Sequence, residues 1–89
     1  MKFPFSRFIV AEKSMVPTFA PGEHVLTFRR IDYRVGDVVV FCRDGKNYIK
    51  RVARVSSGLY NVVGDNARDS VSMPPVSRGE ILGKVIFRY

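Results

Sequence analysis

Residues 37–55 of this 89-residue chain, which read DVVVFCRDGKNYIKRVARV, decide its fold. Asp37–Arg43 is apolar at both sets of alternate positions, as is typical of a strand buried inside a sheet. Asp44 and Gly45 follow, and both residue types tolerate a positive φ, which is a strong signal for a tight hairpin turn. Asn47–Val55 then supplies the return strand. The stretch therefore predicts a central β-hairpin.

Short strands separated by turns are also predicted on both sides of this hairpin. They span Arg7–Ala11, His24–Arg30, Leu59–Val63 and Gly83–Arg88. A long loop, Gly64–Arg78, separates the last two. No window of helical length keeps an apolar period of 3.6 residues. We therefore predict an all-β fold, a small folded sheet or barrel of six strands with no second domain.

The length of the chain allows one domain, residues 1–89, in which residues 1–7 are a candidate flexible segment. The single cysteine, Cys42, excludes an internal disulfide and a cysteine-rich zinc site, and we interpret it as a core residue. One cysteine and one histidine, His24, do not make a ligand set. No metal and no cofactor are therefore predicted.

The charge balance is strongly basic, with 15 Lys and Arg against 8 Asp and Glu, for a net charge of +7. No basic run exceeds two residues, so the charge does not favour nucleic-acid binding as the main role. The longest apolar run, Val38–Cys42, is far shorter than the roughly 20 residues of a membrane span. We expect a soluble, cytoplasmic protein. Peripheral membrane contact is the alternative, through the apolar residues Phe3, Phe5, Phe8 and Ile9. The sequence does not define an oligomeric state.

A nucleophilic serine needs a neighbouring base, because its free hydroxyl is barely ionised at neutral pH. The lone histidine, His24, opens a strand beside Glu23, a context that favours a structural or surface role over a Ser-His-Asp triad. Lysine is the remaining base, since burial in an apolar pocket lowers the pKa of a lysine from about 10.4. A buried lysine is therefore the feature to look for.

Lys50 lies in the middle of the strand Asn47–Val55, between Tyr48 and Val52 on its own face. These neighbours suit a buried stem. The periodicity alone nevertheless favours a surface lysine, because two arginines crowd the same strand.

Ser14 follows the first predicted strand and precedes Pro17. Proline cannot continue a strand ladder, so the chain must turn there and present Ser14 at a strand end. Such a position exposes a hydroxyl on a rigid support. Taken alone, the segment equally describes a serine in an ordinary turn.

Several short motifs occur in a characteristic order along the chain. They are KSMVPTF at 13–19, PGE at 21–23, YRVGDVV at 33–39, YIKRV at 48–52, GDN at 64–66, and Ser70. Each string is weak alone, but the ordered set closely resembles the type I signal peptidase family of Ser/Lys endopeptidases. The resemblance extends from about residue 8 to the C-terminus. We expect this chain to lack the membrane anchor and the inserted β-domain that are common in that family. The chain is therefore most similar to the small soluble peptidases found with nickel superoxide dismutase, which act in its maturation.

The resemblance implies roles for individual residues. Ser14 is the expected nucleophile, Lys50 the general base, and Ser70 the serine that orients the lysine amine. The backbone N–H of Ser14 is an expected oxyanion donor. Met15 and Val16 are expected to line the substrate pocket. The structural motif residues are Pro17, Gly36, Asp37, Gly64, Asp65 and Asn66, of which the last three form the turn that places the Ser70 loop.

The chain departs from the family pattern at two places. Glu12 stands where family members carry a small or hydroxyl residue, and its carboxylate would repel an oxyanion if it pointed inward. We therefore expect either that Glu12 faces solvent or that turnover is slow. After Ser70 the usual Asp-Ser-Arg brace is missing, and Arg78 is the candidate substitute partner for Asp65 or Asp69.

The resemblance predicts a serine endopeptidase that removes an N-terminal signal or leader extension from a protein substrate. We expect the substrate to pair as an extended strand with an exposed sheet edge. Two alternatives remain: a membrane-associated signal peptidase that works with a separate anchor, and a non-catalytic β-barrel module that binds peptides. We do not expect a self-cleaving repressor domain, since residues 1–7 hold no pattern of a helical DNA-binding segment.

Overall fold

The computed structural model describes residues 3–69 and 72–89, which form seven strands and two short 3-10 turns. The strands are β1 (Phe5–Ile9), β2 (His24–Phe28), β3 (Val38–Arg43), β4 (Lys46–Ser56), β5 (Leu59–Val63), β6 (Val76–Ser77) and β7 (Ile81–Arg88). The 3-10 turns are Ala67–Asp69 and Arg78–Glu80. The predicted all-β class is confirmed. Within the described ranges, no helix is long and apolar enough to cross a membrane.

All seven strands belong to one antiparallel sheet in the order β1-β2-β7-β3-β4-β5-β6. The predicted central hairpin is confirmed, because β3 and β4 pair from Val38↔Arg51 to Arg43↔Lys46. Asp44 and Gly45 at its tip have φ values of 53° and 76°. Two consecutive positive φ angles match the twist of the flanking strands, which explains why Asp-Gly closes this turn.

Some strand boundaries differ from the prediction. β1 runs from Phe5 to Ile9, so residues 5–7 of the expected flexible segment lie in a strand. β7 begins at Ile81, two residues before Gly83. A Cβ at Gly83 would lie 2.9 Å from the side chain of Thr27, so this glycine permits close packing inside the strand instead of marking its start.

The predicted loop Gly64–Arg78 contains one strand that was not predicted, β6. It pairs with Leu59 and Tyr60 through only two residues, Val76 and Ser77. A segment this short, directly after two prolines, has no alternating pattern that sequence analysis could detect.

Two apolar clusters pack on the opposite faces of β3. Val39 and Phe41 belong to the first cluster, together with residues of β4, β5, β6 and β7. Val38 and Val40 belong to the second, with residues of β2, β4 and the segment after β1. Fully burying a side chain of this size stabilises the fold by about 1.5–3 kcal/mol. The sheet therefore folds around β3, which explains why that strand is apolar on both faces.

Candidate functional site

Ser14 lies in a tight turn that follows β1. The chain after β1 is held to β2 by Val10, whose N–H donates to the Glu23 carbonyl at 2.8 Å. The turn itself is closed by a hydrogen bond from the Val16 N–H to the Lys13 carbonyl at 3.1 Å. Only 4% of the Ser14 surface is exposed. The predicted nucleophile is therefore held by the backbone on both sides and is nearly enclosed.

Lys50 is buried, with 5% of its surface exposed. It stands opposite Val39 in the β3–β4 ladder, so its side chain projects to the face that carries the first apolar cluster. The surface position that periodicity alone favoured for Lys50 is therefore wrong. The informative signal was the pair of flanking residues on its own face, Tyr48 and Val52, because both pack in this cluster.

Gly64 brings the serine turn onto the strand that carries Lys50. Arg51 pairs with Val63 in the antiparallel β4–β5 ladder, so the next step of the same register sets Gly64 opposite Lys50. A Cβ on Gly64 would lie 2.5 Å from the Ser14 carbonyl oxygen and 3.2 Å from the Ser14 Cβ. Opposed residues of a ladder share a face. Ser14 therefore packs over Gly64 on the face to which Lys50 projects, and only glycine leaves room for it.

Asp65 and Asn66 fasten the same turn by hydrogen bonds. The Asn66 backbone N–H donates to the Ser14 carbonyl at 2.8 Å, and its side-chain amide donates to the Lys13 carbonyl at 2.9 Å. The Thr18 hydroxyl donates to the Asp65 carboxylate at 2.6 Å. The Gly-Asp-Asn motif was expected to place the Ser70 loop. It holds the turn of the candidate nucleophile directly, while Ser70 itself lies outside the described residues.

Arg51 joins two of the sequence motifs beside Lys50. Its guanidinium donates to both carboxylate oxygens of Asp65, at 2.9 and 2.8 Å, and to the Gly36 carbonyl at 2.7 Å. The hydrogen bonds from Arg51 to Asp65, together with the one from Thr18, hold the pKa of Asp65 below its ordinary value. Burial of the carboxylate acts in the opposite direction but is outweighed. Arg51 therefore ties the Gly36-Asp37 turn and the Gly64-Asp65-Asn66 turn to one strand.

The Gly36-Asp37 turn also docks on β4 through its backbone. The Gly36 N–H donates to the Val52 carbonyl at 2.8 Å, and the Val52 N–H donates to the Asp37 carbonyl at 2.8 Å. Gly36 has a φ of 96°, a conformation that favours glycine. This docking positions the Gly36 carbonyl that accepts from Arg51.

The role of Arg51 was not predicted from the sequence. Arg78 was the predicted partner of Asp65 or Asp69, and for Asp65 that prediction is wrong, because Arg51 holds its carboxylate. Arg78 instead lies 3.7 Å from Asp32. The available signal for Arg51 was its place beside Lys50 in a string shared with the family.

Ser14 lies on the wall of a cleft of about 650 Å³. One wall is the segment from Arg7 to Glu12, and the opposite wall is Asn47–Ile49 of β4. The lining also includes four buried apolar residues, namely Val10, Val25, Val40 and Ile49. Among the described residues, β1 is an edge strand that pairs only with β2. The cleft therefore offers an extended peptide an apolar surface and a strand edge beside Ser14.

The two residues that were expected to line the substrate pocket, Met15 and Val16, take other positions. Met15 is fully buried in the second apolar cluster, and Val16 is half-buried. Neither they nor Lys50 are among the described residues that line the cleft. His24 is exposed, lines the cleft and packs its ring 5.3 Å from that of Tyr89.

Glu12 is exposed, and its carboxylate lies 2.5 Å from the Lys46 ammonium. Of the two outcomes expected for this residue, a side chain that faces solvent is confirmed. The ion pair balances the negative charge that Glu12 brings close to Ser14.

The family model for signal peptidase, peptidase S26, matches residues 1–55. The matched span contains Ser14 and Lys50 and ends before the Gly64-Asp65-Asn66 turn. No individual curated protein matches the chain significantly.

Proposed function

Because the chain belongs to the signal peptidase family, peptidase S26, we propose that it is a serine endopeptidase with a Ser14–Lys50 dyad, which removes an N-terminal extension from a protein substrate. One observation carries the proposal: both side chains are buried, and Gly64 packs Ser14 against the strand of Lys50. A lysine is almost never fully buried unless it is paired, so the burial of Lys50 points to a partner for its amine.

The reaction would proceed through an acyl-enzyme. As general base, the Lys50 amine would take the Ser14 hydroxyl proton while Oγ attacks the scissile carbonyl carbon. The backbone N–H of Ser14 donates to the oxyanion, a type of contact worth about 10²–10³ in rate. The resulting ammonium returns the proton to the leaving amine as the C–N bond breaks. The same amine then deprotonates a water molecule that attacks the ester carbonyl. The ammonium returns this proton to Oγ as the acyl C–O bond breaks, which releases the acid and restores Ser14. Ser70 would orient the amine, as the family resemblance implies.

The substrate would bind as an extended segment along the free edge of β1. Backbone hydrogen bonds to a strand edge supply affinity, and alternate side chains enter pockets that supply specificity. The buried apolar residues of the cleft suit small apolar side chains. We propose a protein with a short N-terminal extension as substrate, and the nickel superoxide dismutase precursor is the candidate that the resemblance names.

The test is cleavage of synthetic peptides that carry an Ala-x-Ala site or the dismutase leader, followed by mass spectrometry. We expect Ser14→Ala and Lys50→Ala each to lower kcat by at least about 10³-fold, as for other catalytic dyads and triads. Ser56→Ala is the matched control, because Ser56 is an exposed serine at the end of β4. Cleavage that persists in both Ser14→Ala and Lys50→Ala would refute the proposal.

A second candidate is a peptide-binding module without catalysis. It is favoured by Glu12, which stands where the family resemblance implies a small or hydroxyl residue and which pairs with Lys46 instead. An acylating inhibitor of serine peptidases separates the two functions. Labelling of Ser14, seen by peptide mapping, supports the enzyme, whereas peptide binding with an unlabelled Ser14 supports the module.

A further inference from the structure

The ion pair between Glu12 and Lys46 connects the two walls of the peptide cleft. Glu12 lines the cleft on the side of β1, two residues before Ser14. Lys46 is the first residue of β4 and directly precedes the opposite wall, Asn47–Ile49. Their charged groups are 2.5 Å apart. The Lys46 ammonium also lies 5.1 Å from the centre of the Tyr48 ring, which is part of the same wall.

The ion pair joins the two sets of cleft-lining residues beyond one end of β1. Glu12 lies beyond the C-terminal end of β1, whereas Lys46 lies at the N-terminal end of β4. Both segments continue into residues that line the cleft, and Ser14 follows Glu12 by two positions. An extended peptide that runs along β1 towards Ser14 must therefore pass close to the pair.

We propose that Glu12 and Lys46 form an ionic latch, which joins the two sides of the cleft near Ser14 and must open before a peptide segment can bind there. This proposal depends on the proposed function in one respect, namely that the cleft is the site at which the peptide substrate binds. It assigns Glu12 and Lys46 to the control of peptide binding and gives them no part in bond cleavage.

The strength of the latch suits a contact that opens repeatedly. The side chains of Lys46 and Glu12 are 56% and 45% exposed, so water and salt screen their attraction. Exposed ion pairs contribute little, and the weakest are within reach of thermal opening. The hydrogen bond from Lys46 to Glu12 raises the pKa of Lys46 above its ordinary value, so the Lys46 ammonium keeps its charge at neutral pH. Loss of the latch is accordingly expected to tighten peptide binding about two- to fivefold.

The experiment measures peptide affinity in the full chain with Ser14→Ala as background, so that no cleavage occurs. The probe is a fluorescein-labelled, otherwise uncharged peptide with an Ala-x-Ala site, followed by anisotropy. Glu12→Gln and Lys46→Gln should each lower Kd about two- to fivefold. The double neutral variant should bind no more tightly than either single variant. The charge-swapped variant, Glu12→Lys with Lys46→Glu, should return Kd to the parent value.

Asp32→Asn and Arg78→Gln are the matched controls. They break another exposed ion pair, with a separation of 3.7 Å, and change the net charge in the same two ways. Both should leave Kd unchanged. The latch is refuted if the Glu12 and Lys46 variants bind no more tightly than these controls, or if no variant binds the peptide at all. The proposed function fails separately, when the chain with Ser14 intact does not cleave a peptide that the Ser14→Ala variant binds.

Discussion

Two arginines, at opposite ends of the β3–β4 hairpin, make nearly the same set of contacts for different purposes. Arg51 holds both carboxylate oxygens of Asp65 and the Gly36 carbonyl. Arg43 holds both carboxylate oxygens of Glu80, at 2.9 and 3.0 Å, and the carbonyls of Pro74 and Pro75.

The surroundings of the two arginines differ more than their chemistry does. Both ion pairs are partly buried, with side-chain exposures of 34% and 16% for Arg51 and Asp65, and 17% and 30% for Arg43 and Glu80. Arg43 fastens the loop before β7, whereas Arg51 fastens the turns that pack around Ser14. A forked ion pair therefore stabilises whichever segments it joins, and the proposed catalysis by Ser14 would depend only on the ion pair of Arg51, which lies beside it.

The largest effect is expected at the glycines beside the two ion pairs. A Cβ on Gly64 would lie 2.5 Å from the Ser14 carbonyl oxygen, whereas a Cβ on Gly79, next to Glu80, would meet nothing within 4 Å. Gly64→Ala must displace the serine turn, and a shift of about 1 Å in a catalytic group can cost about 10²-fold in rate. Peptide cleavage should therefore fall about 10²-fold in Gly64→Ala and stay near the parent value in Gly79→Ala. Equal kcat/KM values for the two variants would contradict the packing of Ser14 on Gly64.

Removing each arginine tests the comparison directly. Arg51→Gln and Arg43→Gln should lower the free energy of unfolding by similar amounts, about 1.5–3 kcal/mol, because each loses charge-assisted hydrogen bonds. Only Arg51→Gln should also lower kcat/KM, by about tenfold, since it releases the turns around Ser14. Urea unfolding and peptide cleavage, both at a temperature where the variants remain folded, provide the two measurements. A similar loss of cleavage in Arg43→Gln would show that stability alone explains the effect.

The acid dependence of stability should reveal both ion pairs. Hydrogen bonds from Arg43 and from the Ser77 backbone, opposed by burial, lower the pKa of Glu80 from 4.5 to about 2. The pKa of Glu80 is lower in the folded than in the unfolded chain. The contribution of Glu80 to the free energy of unfolding is therefore fully present above about pH 4.5 and is lost as the pH falls through about 2.

Urea unfolding at several pH values checks this dependence. The difference in unfolding free energy between the parent and Glu80→Gln should be constant at neutral pH and vanish near pH 2. Asp65→Asn should behave in the same direction, since the pKa of Asp65 is also lowered. Of the two variants, only Asp65→Asn should slow peptide cleavage at neutral pH. If the difference in unfolding free energy between the parent and Glu80→Gln grew on acidification, the lowered pKa of Glu80 would be contradicted.

The smallest effect is expected at the hydroxyl groups that support the two carboxylates. Thr18 donates to Asp65 at 2.6 Å, and Ser77 donates to Glu80 at 3.2 Å. Thr18→Val and Ser77→Ala should each cost about 0.5–1.5 kcal/mol of stability, the usual contribution of a hydrogen bond. Thr18→Val should also lower kcat/KM about two- to threefold, because Thr18 belongs to the turn of Ser14. No change in its cleavage rate would show that Asp65 is held by Arg51 alone.

Local sequence signals predicted much of the fold. The Asp44-Gly45 turn and the apolar run before it predicted the central hairpin, and β5 has the predicted bounds Leu59–Val63. Strand β6 was missed, because its two residues carry no pattern. The burial of Lys50 was not predicted from periodicity, since burial depends on which strands cover a face and not on the order of residues within one strand.

The candidate site was predicted in part. Ser14 and Lys50 came from the order of motifs, and the structure brings their segments together through Gly64. The partner of Asp65 was not predicted, because Arg51 is one of many arginines and no local rule selects among them. Met15, expected to line a pocket, lies in the core. Ser14, which precedes Met15, lines the cleft. The sequence does not show whether an apolar residue in a turn points into the core or into a pocket.

By itself the sequence determined most of the strands, the turn of the central hairpin and the family, because these depend on alternation, on residues that tolerate a positive φ, and on the order of short motifs. The tertiary structure alone decided that Ser14 packs on Gly64, that Arg51 holds Asp65, and that Glu12 meets Lys46 across the cleft. The physical reason is that each of these contacts joins segments far apart in the chain. Their proximity is set by sheet register and packing, which no local pattern encodes.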